Sequence, residues 1–444
     1  MSHLFIAHGS RDVDALLSVH EAMRQASIPT WYTPPGLDSN ADPETVNAAI
    51  DNAFGMVVLV SGSSVRSSAV QAQLNRAAAR GLTLFPIRSD NARLSRQFKA
   101  LLADQLTDAL SDDGALTRLV SNVRKRYERR CPVIAVMNLK GGIGKTTIAS
   151  QVFGAWQASL GGRTLLIDLD PQYNLTQTFF DMDQADASAA ADKSVISLFE
   201  RSRLHAPEGG SPADDWSYIS TEPFSPLARD VICHDLLGAG GPGGRLDLIS
   251  GQFEISKYAF APSPQSLALV GANFKRMIDH YRSEYDLIVF DTNPNATFLT
   301  RCALEAADRI LAPMHADNYS LRGVRLLHQV MDEQVSADRR PDLSVLFNAV
   351  GRSEQSDFEA DARNGVFDQQ AGFALSKALL NSALPKSGHL VVRGPEEDES
   401  PWQQLVIHKG RGGGLRPIRE TLKAISLELN ELVEQETGQV QPVD

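Results

Sequence analysis

Cysteine is scarce in this chain: Cys131, Cys233 and Cys302 stand alone among 444 residues, with no CxxC pair. An odd, scattered set suits neither a zinc site nor a disulfide framework, so the thiols are expected as small buried hydrophobes in a reducing cytoplasm. No run approaches the roughly 20 apolar residues that span a bilayer. The opening MSHLFIAHGSRD has no basic stretch followed by an apolar one, which predicts no signal peptide. An excess of positive charge is also missing. With 43 Lys and Arg against 54 Asp and Glu, the net charge is −11, which excludes a basic coat but not a local basic patch. What remains is a soluble globular composition, 43% hydrophobic and 22% charged. Its length suits two or three domains of about 100–200 residues each.

Residues 1–130 alternate short apolar strands with amphipathic helices. Strands are expected at His3–Ala7, Pro29–Tyr32, Met56–Ser61 and Leu82–Ile87, with helices at Asp12–Ala26, Thr45–Ala53, Val70–Arg80 and Ala115–Arg130. The last ends in the basic RKRYERR. Such alternation implies a parallel sheet covered on both faces.

A second block, 131–444, opens with strand Val133–Met137, a glycine-rich loop and a helix at Ile148–Leu160. Further strands are expected at Arg163–Leu169, Tyr285–Asp291, Arg309–Met314 and Leu343–Val350, again a doubly wound α/β pattern. Three stretches interrupt it as expected surface loops or insertions: Ala/Asp-rich 183–192, glycine-rich 237–245 and acidic 393–400. The fold class is therefore α/β, with two doubly wound parallel-sheet domains and no internal repeat.

The chemistry concentrates in KGGIGKTT, Lys140–Thr147, between a strand and a helix. Its glycines, Gly141, Gly142 and Gly144, let the backbone curl so that successive N–H groups, with that of Ile143, face phosphate oxygens. The following helix adds its positive N-terminal end. Lys145 would set a cation on the β- and γ-phosphates. The hydroxyl of Thr146, followed by Thr147, would ligate Mg²⁺. The common pattern GxxxxGK[ST] is not met, because Leu139 stands where its first glycine should be, and a second lysine, Lys140, follows.

That departure resembles the deviant Walker A loop of the ParA/MinD ATPase family. Three downstream segments match in order and spacing. LLIDLDPQYNLT, Leu165–Thr176, resembles the family's DxDPQxN, which implies that Asp168 supports the magnesium shell and Asp170 positions the attacking water. YDLIVFDTNPN, Tyr285–Asn295, resembles a Walker B strand, with Asp291 holding Mg²⁺ through water and Asn293 in place of the usual first proline of DTPP. VLFNAV, Val345–Val350, ends like the family's strand whose asparagine, here Asn348, hydrogen-bonds the adenine edge. The resemblance covers about 131–435. It implies ATP and Mg²⁺ as cofactors, slow hydrolysis, and an ATP-dependent homodimer in which Lys140 reaches the partner's nucleotide.

Members of this family act on DNA or on membranes. The C-terminal helix expected at Pro417–Glu434 carries Ile418, Leu422, Ile425, Leu429 and Leu432 at helical spacing, but its later part is acidic. Anionic lipid would repel it, so a core-packing helix and no membrane partner are expected. Before it lie His408, Lys409, Arg411, Arg416 and Arg419 around glycines 412–414. Lys409, Arg411, Arg416 and Arg419 suit contact with a DNA backbone, and a solvated charged loop is the alternative.

The first block resembles TIR domains, of flavodoxin-like fold, over about 1–125. FIAHGSRD, Phe5–Asp12, is similar to the family's opening FISYSxxD. PTWYTPPG is similar to its second strand, and Val46–Ile87 to its serine-rich loop, SxWVxxEL helix and strand ending in Pro-Ile. TIR NADases use the glutamate of that helix. Here Gln73 takes its place, Ala69 replaces the aromatic, and 56–89 contain no Asp or Glu. An amide offers neither charge nor acid/base chemistry, so this domain is expected to lack NADase activity and to bind an unknown protein partner. Three readings follow: an ATP-driven dimer switch that pairs TIR-like domains, in antiphage defence by analogy; a DNA partition or positioning ATPase with the first domain as cargo adaptor; and an ATP-gated NADase, which Gln73 disfavours.

Overall fold

The structure is a computed structural model of residues 1–444. It describes all but 1–2, 36–41, 52, 80–81, 96–97, 100–101, 103–108, 129–130, 202–218, 222–223, 225, 239–243, 261–262, 351–355, 392–393, 396–398, 410–413 and 438–444. The chain divides into two compact units: 1–130 with 161–163 and 243–245, and the remainder.

The first unit is built on strands β1 (His3–Ala7), β2 (Thr30–Trp31), β3 (Ala53–Val60) and β4 (Thr83–Arg88), in the order β2-β1-β3-β4. All three pairings are parallel. This is the start of the flavodoxin-like order. Successive strand residues point to opposite faces, and both faces are apolar. Leu4 and Ile6 join Leu16, Val19 and Met23 of helix Val13–Gln25 on one side. Phe5 and Ala7 join Val70 and Leu74 of helix Ser68–Ala79 on the other. Beyond the strand ends, the Asp12 carboxylate accepts from the Gly9 N–H (2.7 Å) and the Ser61 hydroxyl (2.8 Å), which ties together the loops after β1 and β3.

The second unit holds eight strands: β5 (Val133–Val136), β6 (Arg163–Asp168), β7 (His234–Asp235), β8 (Arg245–Ile249), β9 (Leu287–Asp291), β10 (Arg309–Met314), β11 (Asp342–Val350) and β12 (Leu384–Pro385). Their order is β12-β11-β10-β5-β9-β6-β8-β7. The pairs from β12 through β6 are parallel, and β7 runs antiparallel to β8. Helix Lys145–Leu160 packs on one face of the sheet, where Ile148, Val152 and Phe153 meet Leu422, Ile425 and Leu429 of the terminal helix Leu415–Thr437. The Ser426 hydroxyl, which donates to the Val152 carbonyl at 2.9 Å, fixes this pairing. No described helix is long and apolar enough to cross a membrane.

Two features differ from the sequence reading. Residues 183–192, expected as a surface loop or insertion, lie in helix Met182–Ala190 and the turn after it. Alanine has the highest helix propensity, and Asp181 with Gln184 supplies a reciprocal capping box at its start. The stretch 237–245 ends in β8, whose five residues RLDLI are too short to announce a strand after so many glycines. Within that stretch 239–243 lie outside the described residues, as do 393 and 396–398 of the acidic segment.

Candidate nucleotide site

The ends of β5, β6 and β9 meet where a doubly wound sheet forms its ligand crevice. In register, Val136 faces Asp291 and Asp168 faces Asp291, so the loop after β5 and two carboxylates converge. The loop Lys140–Thr147 curls through Gly142 at φ 69° and Gly144 at φ 85°, in the left-handed region that favours glycine. It opens helix Lys145–Leu160.

A cavity of about 630 Å³ lies over the loop. Residues 141–147 form its floor, Asp170 to Gln172 one wall, and Asn293 to Leu299 another. The last wall is 3-10 helix Phe253–Phe260, which sequence reasoning missed. Its Phe253 and Phe260 are exposed at the rim. Underneath, Lys257 pairs with Glu200 at 2.8 Å and the Tyr258 hydroxyl donates to Glu200 at 2.7 Å, which fixes the wall.

Lys145 is buried, which pushes its ammonium pKa down, while Asp291 and Asp170 pull it up. Its Nζ lies 3.5 Å from the Lys140 carbonyl. Asp291 is fully buried, and neither carboxylate oxygen accepts a hydrogen bond of ordinary geometry. Burial and then the neighbouring Asp168 push its pKa well above the usual carboxylate range, against opposing pulls from the Thr146 hydroxyl and Lys145. Asp168 is spent differently. It accepts from the Thr176 N–H (2.8 Å), the Thr176 hydroxyl (2.7 Å) and the Asp170 N–H (3.2 Å). Burial pushes it up to about 7 against those bonds. Gly251 crowds it so closely that a Cβ there would stand 2.8 Å from the Asp168 carboxyl carbon. Among the described residues, no three His, Cys, Asp or Glu side chains are placed to hold a metal. An uncompensated carboxylate beside a hydroxyl and a phosphate loop suits Mg²⁺, which is commonly shared between one or two carboxylates and substrate phosphates.

Four expected site residues lie outside the cavity lining: the buried Asp168 and Asp291, and also Lys140 and Asn348. Lys140 turns to the start of helix Asn318–Gln334, where its Nζ reaches Asp317 at 3.4 Å and the Ser320 hydroxyl at 3.0 Å. Asn348 donates from Nδ2 to the Ile143 carbonyl at 2.7 Å. Of the basic cluster, Arg416 is exposed and paired with Glu420, and Arg419 donates to the Val406 carbonyl at 3.0 Å. Lys409 is exposed, and Arg411 lies outside the described residues. In the first unit, Gln73 sits half-buried on helix Ser68–Ala79.

A parallel sheet with a glycine loop opening a helix, and carboxylates at the neighbouring strand ends, defines a P-loop nucleotide-binding domain. Comparison with known proteins narrows the class. Residues 131–208 and 244–345 match the family of AAA domains. The chromosome-partitioning ATPase Soj of Thermus thermophilus is 32% identical over 214 residues, 48% of this chain and 66% of Soj. The sporulation initiation inhibitor protein Soj of Bacillus subtilis is 28% identical over 195 residues, 44% of this chain and 62% of that protein. The chain thus spans just under two thirds of the length of these relatives. Among solved structures, pNOB8 ParA superposes with a TM-score of 0.51 at 20% identity, over 69% of this chain and 99% of that one, a likeness of fold. In its second unit the chain is thus similar in sequence to partition ATPases of the ParA/MinD type and shares their fold.

Proposed function

We propose that the second unit binds ATP with Mg²⁺, hydrolyses it slowly, and thereby switches the chain between a monomer and an ATP-held homodimer. The observation that carries this reading is the uncompensated buried carboxylate of Asp291, beside Lys145 and Thr146 beneath the cavity. The loop amides of Gly141 to Thr147 and the Lys145 ammonium hold the phosphates. Thr146 and Asp291 hold Mg²⁺, with Asp168 in support through its grip on the 168–176 turn. The ion neutralises charge on the transferring phosphoryl group. Asp170, in the cavity wall, orients the water whose oxygen bonds to the γ-phosphorus as ADP departs. Asn348 has committed one of its two Nδ2 hydrogens to the loop, which leaves the other hydrogen and Oδ1 for a contact with the adenine edge.

Lys140 reaches the partner's nucleotide in the dimer, after leaving Asp317. The first unit is a TIR-like module without NADase activity, because Gln73 stands where a carboxylate is required, and it recognises a protein partner when paired. Antiphage defence is the setting by analogy with other such fusions. The test is particle size with ATP and with ADP. An ATP-dependent dimer, accumulated in Asp170→Ala and lost in Lys140→Ala, is expected. Equal sizes in every state sink the switch. Nicotinamide release from NAD that disappears in Gln73→Ala sinks the inactive TIR reading.

A second reading is a partition or positioning ATPase on DNA, favoured by the chromosome-partitioning relatives. Lys409 and Arg416 are then the exposed phosphate contacts, with Arg411. Salt-sensitive binding of duplex DNA that needs ATP and falls in Lys409→Ala/Arg416→Ala distinguishes it.

A further inference from the structure

Strand β11 carries a local irregularity at its end. Asn348 pairs with Leu384 and Val350 with Pro385, so β11 advances two residues while β12 advances one. The extra residue, Ala349, lies at φ 56°, a left-handed conformation unfavourable for a residue with a Cβ. Such strain persists where the surroundings over-determine it.

The bulge aims the buried Asn348 at the phosphate loop. Its Nδ2 donates to the Ile143 carbonyl at 2.7 Å. Carbonyl oxygens only accept, so the amide orientation follows from chemistry. The peptide plane between Ile143 and Gly144 is rigid and trans, so a carbonyl held towards β11 points the Gly144 N–H away from it. The approach is so close that a Cβ on Gly144 would run into Asn348 Nδ2. The two contact residues are 205 positions apart.

We propose that Asn348 is a positioning residue for the phosphate loop: through its bond to Ile143 it holds the 143–144 turn in phosphate-ready form, whether or not a base is present. This rests on the reading of the loop as a triphosphate site, and goes beyond contact with the base. A residue that only reads the base has no effect on a ligand without one. A residue that sets the loop affects every ligand the loop binds.

The test uses Mg²⁺ with ATP and Mg²⁺ with inorganic tripolyphosphate, titrated calorimetrically into the full chain. Asn348→Ala is expected to weaken tripolyphosphate about five- to tenfold, in line with the loss of one hydrogen bond, and ATP by at least as much. Asn348→Leu fills a similar volume without a donor and should behave alike, which separates loss of the bond from a packing defect. Without ligand, amide exchange across 141–147 should be faster in both variants than in wild type. Weakened ATP with unchanged tripolyphosphate and unchanged exchange overturns the proposal and leaves Asn348 a base contact alone. Lys145→Ala is the control for the site itself. If wild type binds neither ligand better than Lys145→Ala does, the triphosphate reading fails first and takes this proposal with it.

Discussion

Lys140 and Asp317 form an ion pair within one chain, 3.4 Å from Nζ to Oδ1, and both are about one-third exposed. Burial alone would raise the Asp317 pKa, but hydrogen bonds from Ser320 and the charge of Lys140 hold it below the usual carboxylate range. Asp317 also caps helix Asn318–Gln334 by accepting from the Ser320 N–H at 2.7 Å. In the proposed dimer, a lysine bound at home must be released before it reaches across to a partner. Asp317→Asn keeps a good capping residue and removes the charge. Exposed pairs are worth up to about 1 kcal/mol, and the proposed ATP-dependent dimer breaks one in each protomer, so it should tighten by up to about thirtyfold. Light scattering over a concentration series reads this, and a weakened or unchanged dimer argues against competition for Lys140.

Gly323 sits against the base of the phosphate loop, and a Cβ there would meet Asn138 Oδ1 at 2.8 Å and the Lys140 Cβ at 3.4 Å. Asn138 in turn accepts from the Lys140 N–H at 3.0 Å. Gly323→Ala should cost about 1–3 kcal/mol by overpacking. It should also weaken ATP binding, although residue 323 is not part of the cavity lining. Denaturant melts and ATP titrations of the same preparation check both.

Glu200 and Lys257 are a buried ion pair at 2.8 Å, with side chains 9% and 4% exposed. Removing one partner of such a pair typically costs about 3–5 kcal/mol. Glu200→Ala should therefore destabilise the second unit by that order and lower ATP affinity by releasing the Phe253–Phe260 wall. A variant that loses stability but keeps its affinity refutes the part assigned to the wall.

His234 has its pKa pushed down to about 4, first by burial and then by Lys193, from an ordinary 6.5. Below pH 6.5 the unfolded histidine takes up a proton that the folded one refuses, so this contribution to stability is complete above 6.5 and lost as pH falls towards 4. His234→Gln has no such group. Its melting temperature relative to wild type should rise steadily as pH drops from 7 to 4.5, and a constant difference contradicts the assignment.

The parts of this fold that were legible in the sequence are those with a local signature. Leu4 to Ala7 and Leu287 to Phe290 announce strands because a sheet buried on both faces needs unbroken apolar runs. KGGIGKTT announces its loop because the positive φ at Gly142 and Gly144 leaves few residue choices. Helix 182–190 was obscured by aspartates that read as a loop, although Asp181 was its cap. The bonds Lys140–Asp317 and Asn348–Ile143 join residues 177 and 205 positions apart, and no local pattern encodes them. The aromatic rim of the cavity was invisible for a related reason, since Phe253 and Phe260 look like core residues until the fold exposes them.

Asp291 bears on how variation in this chain should be interpreted. A fully buried carboxylate whose oxygens accept no hydrogen bond of ordinary geometry, and whose pKa burial holds well above the usual range, is a liability to the ligand-free fold. Selection for abundance alone gives no reason to keep it. In a library scored by protein level, neutral replacements at 291 should be tolerated or enriched; scored by nucleotide-dependent behaviour, they should vanish. The distance between those two maps measures how far the proposed ligand has held this position away from its stability optimum.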